Sequence, residues 1–395
     1  MEILNTQTKK ILEKSKEVLM NCCLPNGAII AADVNNPIYP SNVKWYGFVW
    51  ERDAAYILRA LLLLGKYKII ENHFNWCLNR ADGIREGFFA HKYFPNGTVA
   101  GDFDIDIEKV GVKNKKLIKN FIETKLFYVQ FQPDGPASLL WILYEYSKHK
   151  NVEKFRELVE ILANGICKHW KKTHFSLPNY DLWEERVALP DYEQNHIYTL
   201  AACIKGLDCA LKIEENEKWK NVREQMKKVF EDCYNYAKEK GCFPRTYGKE
   251  GKIDNTPDSS LLALVWPWEI VEAHDEVMCK TVGKILQKNE INGGIIRYEG
   301  DKYDGRVKRT KLELCGAGAW PILNYWVSIY FYLRGEKERA LKYFNWVNKR
   351  SLDGYLPEQI KNDKPASIIP LAWSHAMFVI ALNFLIDNKK KIKHE

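Results

Sequence analysis

The chain has 395 residues, of which 46% are hydrophobic and 28% are charged, and its formal net charge is +8. This composition is typical of a folded globular protein and excludes disordered, collagen-like and coiled-coil chains. The basic residues are spread along the sequence, and the lysine-rich stretch at 389–393 predicts a solvated end of the chain. We therefore expect no nucleic acid among the partners.

Hydrophobic periodicity predicts twelve helical segments and no series of alternating strands. In the loop that follows the third segment, residues 88–97 predict a small hairpin. In chain order, the helical segments cover residues 7–21, 51–65, 67–81, 135–149, 152–171, 193–213, 215–239, 258–273, 275–288, 317–334, 336–350 and 370–387.

Two alternations along these segments predict the fold. The even-numbered segments have almost no charge in their interiors and the odd-numbered segments are amphipathic, so six inner helices should alternate with six outer ones. Very short links follow the even-numbered segments, whereas long loops follow the odd-numbered segments. This pattern predicts an all-α (α/α)6 toroid whose long loops lie at one end. We predict a single domain over residues 1–395, because no linker rich in Gly, Ser or Pro divides the chain.

Several features bear on compartment, membrane and metal. The uncharged runs 316–333 and 370–386 approach the length of a membrane span, but both contain polar residues and proline, which favours buried helices over an anchor. We expect no signal peptide at residues 1–5.

The ten cysteines form no Cys-x-x-Cys pair, which predicts buried free thiols in a reducing cytoplasm. The histidines do not cluster at ligand spacing, so we expect no metal and no cofactor.

Polar and aromatic clusters in the long loops point to carbohydrate chemistry. Aromatic rings stack on sugar faces, and arginine and carboxylate side chains bind neighbouring hydroxyls through charge-assisted hydrogen bonds. Two carboxylates on different loops can serve as the acid and the base of glycoside hydrolysis. Taken singly, the clusters also allow structural roles: Asp53 could cap a helix, and Glu184 and Glu185 could form an acidic first helical turn.

Six motifs in order give the sequence a specific resemblance. They are Trp50-x-Arg52-Asp53, Asp134-Gly135-Pro136-Ala137, Asp181-Leu182-Trp183-Glu184-Glu185, Arg297-Tyr298 with Asp301-x-Tyr303, Pro357-Glu358-Gln359, and Trp373-Ser374-His375. With these motifs the chain resembles glycoside hydrolase family 15, the family of glucoamylases, glucodextranases and trehalases. The resemblance extends over residues 27–387 and agrees with the toroid that the periodicity predicts.

The resemblance implies roles for particular residues. Glu184 matches the general acid and Glu358 matches the general base. An inverting mechanism needs carboxyl groups about 6.5–9.5 Å apart, so we expect the two glutamates to face each other across a blind pocket. We expect His375 to be a satisfied core histidine. The substrate-binding residues that the resemblance implies are Tyr46, Trp50, Arg52, Asp53, Asp134, Trp183, Glu185, Arg297 and Tyr303.

The implied activity is that of an inverting exo-acting α-glucosidase of the glucoamylase type. Such an enzyme releases glucose from the non-reducing ends of maltooligosaccharides or α-glucans. The same motifs would serve α,α-trehalose or α-1,6-linked dextran, so trehalase and glucodextranase activities stay open. Residues 1–395 match neither the N-terminal β-sandwich nor the starch-binding module of many relatives, so either the protein is a bare catalytic toroid or the sequence is part of a longer product, and we expect soluble oligosaccharides rather than granular starch as substrates.

Two other classes also stay open. One is a non-catalytic glucan-binding or regulatory toroid, since phosphorylase kinase regulatory subunits carry a similar domain. The other is a phosphorylase of the same architecture, which would use phosphate in place of the base. The intact motifs around Glu184 and Glu358 argue against the first class, and an intact Glu358 argues against the second.

Overall fold

The computed structural model describes residues 3–43, 45–100, 130–249, 251–303 and 317–386, and the lysine-rich stretch at 389–393 lies outside these ranges. The described chain is mostly helical and contains eleven α-helices. They are α1 Thr6–Asn21, α2 Glu51–Leu63, α3 Tyr67–Arg80, α4 Asp134–Ser147, α5 Arg156–His169, α6 Ile197–Ile213, α7 Glu217–Lys240, α8 Glu276–Asn289, α9 Pro321–Leu333, α10 Lys337–Asn348 and α11 Ala372–Leu385.

Eleven of the twelve predicted helical segments are confirmed, and the eighth, residues 258–273, is wrong as an α-helix. Here the chain forms a 3₁₀-helix at Ser259–Leu264, whose N-cap Asp258 accepts a hydrogen bond from the Ser260 backbone N–H. Pro267 explains the difference, because proline has no N–H to donate and disfavours helical backbone at the residue before it. The uncharged run is still buried, as the structure shows for Trp268.

Among the described helices from α4 onwards, buried helices alternate with amphipathic ones, except at the eighth predicted segment, which is not an α-helix. Nearly every residue of α4, α6, α9 and α11 is buried, as their uncharged sequences predict. In contrast, α5, α7, α8 and α10 each bury a single stripe and carry charged residues on the opposite face. Among the described residues, no helix has both the length and the hydropathy that a membrane crossing requires.

The chain divides into two compact units. The first comprises Met1–Gly47, Tyr56–Asn72 and Thr256–Glu395, and within it α9 packs against α10 and α11, while α1 packs against α11. The second comprises Phe48–Ala55 and His73–Asn255, and within it α4 packs against α5 and α6, while α6 packs against α7. A single domain over residues 1–395 stays a prediction.

Short antiparallel hairpins occupy the long loops. The strands β1 and β2, β3 and β4, β7 and β8, and β9 and β10 pair with their neighbours in sequence, while β5 pairs with β6 across α6 and α7. The strands are β1 Trp170–Lys171, β2 His174–Phe175, β3 Asn179–Tyr180, β4 Val187–Ala188, β5 Asn195–His196, β6 Thr246–Tyr247, β7 Glu290–Ile291, β8 Gly294–Ile295, β9 Gln359–Lys361 and β10 Lys364–Ala366.

The small hairpin predicted at 88–97 is present but shifted towards the C-terminus. Tyr93 pairs with Val99, and the Phe94 backbone N–H donates to the Thr98 carbonyl. Gly97 closes the turn with φ of +96°, a conformation in which a side chain would be strained. The predicted free thiols are also confirmed for the nine cysteines in the described ranges, most of which are buried.

Helices α4 and α6 approach each other closely at Gly206. A Cβ atom at Gly206 of α6 would lie 2.9 Å from the Cα atom and 3.0 Å from the carbonyl oxygen of Ala137 in α4. These are backbone atoms, so a side chain at this position would push the helices apart. In contrast, a Cβ atom at Gly283 of α8 would have no atom within 4 Å.

The two glycines should therefore respond in opposite directions to alanine. We expect Gly206→Ala to lower the free energy of unfolding by about 1–3 kcal/mol, the usual cost of overpacking. We expect Gly283→Ala to raise it by up to about 1 kcal/mol, because alanine favours the helix without a clash. Urea unfolding followed by circular dichroism measures both. A Gly206→Ala variant as stable as the parent would contradict the close approach of the two helices.

Candidate active site

A tight hairpin presents Glu184. The strands β3 and β4 pair Asn179 with Ala188 and Tyr180 with Val187, so residues 181–186 form the connection between them. In this connection the Glu184 backbone N–H donates to the Asp181 carbonyl at 3.0 Å. Glu184 adopts a left-handed backbone with φ of +62°. That conformation costs a non-glycine residue about 1–3 kcal/mol, so the surrounding hydrogen bonds must hold it.

The Asp181 carboxylate supplies those hydrogen bonds. Its Oδ1 atom accepts from the backbone N–H groups of Glu185 and Arg186 at 2.9 and 3.1 Å, and its Oδ2 atom accepts from Arg186 Nη1 at 3.0 Å. Burial by itself would raise the pKa of Asp181, but His196, Arg186 and these N–H groups hold the pKa below its ordinary value. Asp181 is therefore ionised and fixes the loop.

The Glu184 side chain lies among hydrogen-bond donors. Trp50 Nε1 donates to Glu184 Oε1 at 2.8 Å, and Arg52 Nη2 lies 3.4 Å from the same oxygen. His91 Nε2 lies 4.0 Å from Glu184 Oε2. The Glu184 side chain is 25% exposed, so it can both hold these contacts and reach a bound molecule. We call these residues, together with Asp53, Gln132 and Asp134, the Glu184 cluster.

Arg52 is the charge centre of the Glu184 cluster. Its Nη1 atom donates to Gln132 Oε1 at 3.0 Å and lies 3.4 Å from Asp134 Oδ2, while its Nη2 atom lies 3.4 Å from Asp53 Oδ2. Burial raises the pKa of Asp53 to about 7, although the nearby guanidinium opposes the rise. Burial also raises the pKa of Asp134 against the same opposition from Arg52. The cluster therefore combines a fixed cation with carboxyl groups that resist ionisation.

The Glu358 side chain lies among hydroxyl groups. Tyr46 donates its phenolic hydroxyl to Glu358 Oε1, and Ser367 donates to Glu358 Oε2. The Tyr46 hydroxyl also lies 2.6 Å from the hydroxyl of Tyr303. Burial and the charge of Glu358 raise the pKa of Tyr46 well above its ordinary value, so Tyr46 stays a donor. We call these residues, together with Arg297 and Asp301, the Glu358 cluster.

Arg297 and Asp301 form a buried ion pair that supports Tyr303. Arg297 donates from Nε to Asp301 Oδ2 at 2.7 Å and from Nη2 to Asp301 Oδ1 at 2.6 Å. The Tyr303 backbone N–H also donates to Asp301 Oδ1 at 3.0 Å, and the guanidinium carbon lies 5.0 Å from the centre of the Tyr303 ring. Such a two-point pair orients Tyr303, and through it the hydroxyl beside Tyr46.

The start of α11 holds the loop that carries Glu358. His375 Nε2 accepts from the Leu356 backbone N–H at 3.0 Å, and the Ser374 hydroxyl donates to the Pro357 carbonyl at 2.7 Å. Ser15 bonds the other ring nitrogen of His375. Burial lowers the pKa of His375 to about 3, so it is neutral. The prediction of a satisfied core histidine is confirmed, and both side chains position the residues next to Glu358.

The remaining predicted residues, Trp183 and Glu185, flank Glu184 in the connection between β3 and β4. Trp183 is buried next to Glu184 in sequence, and Glu185 Oε2 lies 3.5 Å from Arg186 Nη1. Sequence patterns missed His91, Gln132 and Ser367. Gln132 lies two residues before Asp134 and could have been included among the predicted substrate-binding residues. His91 and Ser367 lie in loops whose sequence does not indicate their contacts.

A second group of polar side chains was also missed, because the histidine spacing alone predicted no metal site. Glu51, His73 and Cys77 are all buried, and one potential ligand atom from each lies within 4.8 Å of the other two. These residue types can hold a divalent metal ion.

Solved structures share the fold. A glycosidase variant solved in complex with glucose has a TM-score of 0.72 at 19% identity, with 97% of this chain and 99% of that chain covered. A bacterial glucoamylase complexed with acarbose has a TM-score of 0.65 at 18% identity, with 96% of this chain and 56% of that chain covered.

Curated proteins are similar in sequence. A glycosyl hydrolase of uncharacterised activity from Methanocaldococcus jannaschii is 29% identical over 98% of this chain and 57% of its own length. An isomaltose glucohydrolase from Kribbella flavida is 24% identical over 63% of each chain. Trehalase 1 from Sulfolobus acidocaldarius is 23% identical over 91% of this chain and 60% of its own length. The chain thus spans less than two thirds of the length of these relatives.

A family model extends over almost the whole sequence. The model described as "Glycosyl hydrolases family 15" matches residues 7–383, a range that contains both clusters and all six sequence motifs. Together with the shared fold, this match shows that the chain belongs to glycosyl hydrolase family 15.

Proposed function

We propose that this family member is an inverting, exo-acting α-glucosidase that removes glucose from the non-reducing end of soluble α-linked oligosaccharides. In this proposal Glu184 is the general acid and Glu358 is the general base. The protein uses no cofactor for the reaction, acts in the cytoplasm and folds as an (α/α)6 toroid, which the alternation of buried and amphipathic helices supports.

The observation that carries the proposal is the pair of hydroxyls on Glu358. Tyr46 and Ser367 donate to different oxygens of this carboxylate, and a carboxylate that only accepts hydrogen bonds is favoured in its ionised form. A base that activates water must be ionised and oriented before substrate arrives. A binding module would need neither property, and a phosphorylase would use phosphate in place of the base.

The surroundings of Glu184 support its role as the acid. When the acid gives its proton to the glycosidic oxygen, it becomes negatively charged, and the Arg52 guanidinium at 3.4 Å can stabilise that charge. Trp50 holds the same oxygen with a 2.8 Å hydrogen bond, which fixes the direction of proton transfer. The reaction therefore leaves Glu184 ionised and Glu358 protonated, and exchange with solvent restores both.

The neighbouring carboxyls support a polyhydroxylated ligand. Asp134 Oδ1 is buried and accepts no hydrogen bond from the residues that the structure describes, and Asp53 Oδ2 has an ion-pair contact with Arg52 Nη2 at 3.4 Å but accepts no hydrogen bond from them. A buried acceptor without a donor is unfavourable, and sugar hydroxyls are donors. The Asp53 side chain is 12% exposed, so it can take a hydroxyl of the terminal glucosyl unit while Arg52 takes another.

The linkage is the finer question, and the named relatives favour a second candidate. The curated relatives include an isomaltose glucohydrolase and trehalases, whose named substrates contain α-1,6-linked and α,α-1,1-linked glucose. These names support isomaltose and trehalose as second candidates, while the glucoamylase-type motifs keep maltooligosaccharides first in the proposal. Parallel incubation with maltose, isomaltose and trehalose, with and without phosphate, ranks the three linkages by glucose release and detects any glucose 1-phosphate.

Loss of either proposed catalytic carboxyl should abolish most hydrolysis. We expect Glu184→Gln and Glu358→Gln each to lower the rate by at least about 10²-fold, because general acid and general base each contribute on that scale. Glu157→Gln, at an exposed position on α5, serves as the control and should leave the rate unchanged. Thermal unfolding checks that all variants fold. Full activity in either site variant would remove the role assigned to that residue.

Removal of the Ser367 hydroxyl should change the pH dependence of the reaction. Without this donor the ionised form of Glu358 is less favoured, so the acidic limb of the rate profile should move to higher pH. Because Ser367 has φ of +64°, Ser367→Ala keeps the backbone strain and Ser367→Gly relieves it. The same shift in both variants assigns the effect to the hydroxyl. An unshifted profile in both would exclude Ser367 as a positioning residue.

The product anomer tests the base directly. Water activated by Glu358 attacks from the face opposite the leaving oxygen, so an α-linked substrate should first give β-glucose. Proton NMR over the first minutes separates the anomers before they interconvert. Initial α-glucose would indicate a covalent intermediate and would refute the proposed role of Glu358. Glucose 1-phosphate formed only with phosphate would indicate a phosphorylase, and absence of any product would favour a binding toroid.

A further inference from the structure

Three potential metal ligands come together in space, and one of them, Glu51, lies between Trp50 and Arg52 of the Glu184 cluster in the sequence. Glu51 is the first residue of α2, and His73 and Cys77 lie one helical turn apart on the same face of α3. Glu51 Oε2 lies 3.3 Å from His73 Nε2 and 3.9 Å from Cys77 Sγ, and all three side chains are buried. None of the roles proposed above uses this group.

The spacing matches the inner sphere of a tetrahedral metal. Zinc bonds of about 2.0–2.2 Å to nitrogen or oxygen and about 2.3 Å to sulfur place neighbouring ligand atoms about 3.3–3.7 Å apart. The two distances to Glu51 Oε2 fall at or close to this range, and the full set lies within 4.8 Å. Side-chain shifts of up to about 1 Å would bring all three ligand atoms to these spacings around an ion.

The Glu51 carboxylate has one oxygen that could still bind a cation. Glu51 Oε1 is buried and accepts no hydrogen bond from any residue in the described part of the chain. A buried carboxylate oxygen without a donor is costly, and a divalent cation would satisfy it. The combination of thiol, imidazole and carboxylate favours zinc over magnesium or calcium, which prefer oxygen ligands.

We propose that Glu51, His73 and Cys77 bind one Zn²⁺ that stabilises the fold, with a water molecule in the fourth tetrahedral position. The ion would tie the first turn of α2 to α3, and Arg52 and Asp53 follow Glu51 directly in the sequence. It would therefore fix the part of the chain that carries the charge centre of the Glu184 cluster. This role is independent of the substrate and of the catalytic assignment.

Metal content tests the proposal without reference to activity. The full chain is expressed with zinc in the medium, dialysed against a chelator and analysed by inductively coupled plasma mass spectrometry. A buried ion should survive dialysis, so we expect about one zinc per chain. Expression with Co²⁺ in place of zinc should give the sulfur-to-cobalt charge-transfer absorption that reports a thiolate ligand.

Variants locate the ion. Cys77→Ser and His73→Gln should reduce the zinc content to less than about a tenth of the parent value, and Cys77→Ser should remove the cobalt–sulfur absorption. Cys233→Ser, at another buried free thiol, is the matched control and should keep both. A parent protein without stoichiometric metal and without the cobalt absorption overturns the proposal, as does zinc retained in both ligand variants. The parent measurements decide the question even where a variant fails to fold.

Discussion

One buried guanidinium, that of Arg52, sets the charge balance of the Glu184 cluster. Guanidinium nitrogens of Arg52 lie 3.4 Å from carboxylate oxygens of Asp53, Asp134 and Glu184. A single positive charge is therefore shared by three carboxyl groups, of which those of Asp53 and Asp134 are buried. Burial raises the pKa of Asp53 and of Asp134, and the charge of Glu184 adds to the rise while Arg52 opposes it, so both carboxyls retain protons to higher pH than usual.

Each proposed catalytic glutamate is supported by backbone-directed hydrogen bonds from residues that do not reach substrate. Asp181 accepts from two backbone N–H groups and fixes the loop of Glu184, while His375 and Ser374 hold the backbone just before Glu358. These hydrogen bonds fix the backbone at the connection between β3 and β4 and just before β9, where the two glutamates lie. Accurate side-chain placement is what proton transfer requires.

The sequence predicted the helices well because their signal is local. Uncharged segments such as α9 and α11 can only be buried, and the structure buries them. At residues 258–273 the hydrophobic periodicity predicted an α-helix, but Pro267 is incompatible with one, and the prediction was wrong. The motifs located Glu184 and Glu358, but they could not reveal Ser367 or His91, whose contacts depend on how distant loops fold. For the same reason, histidine spacing gave no hint of the group formed with Glu51 and Cys77.

The left-handed backbone at Glu184 has a consequence for the history of this protein. Glycine and asparagine adopt that conformation at low cost, but neither can donate a proton to a leaving oxygen. In the proposed mechanism, selection for hydrolysis would therefore maintain at residue 184 a side chain that the local geometry disfavours. In a descendant released from that selection, residue 184 should be among the first to change, because glycine or asparagine there would stabilise the fold at the expense of activity. The identity of residue 184 would then distinguish working enzymes from paralogues that have kept the fold for another purpose.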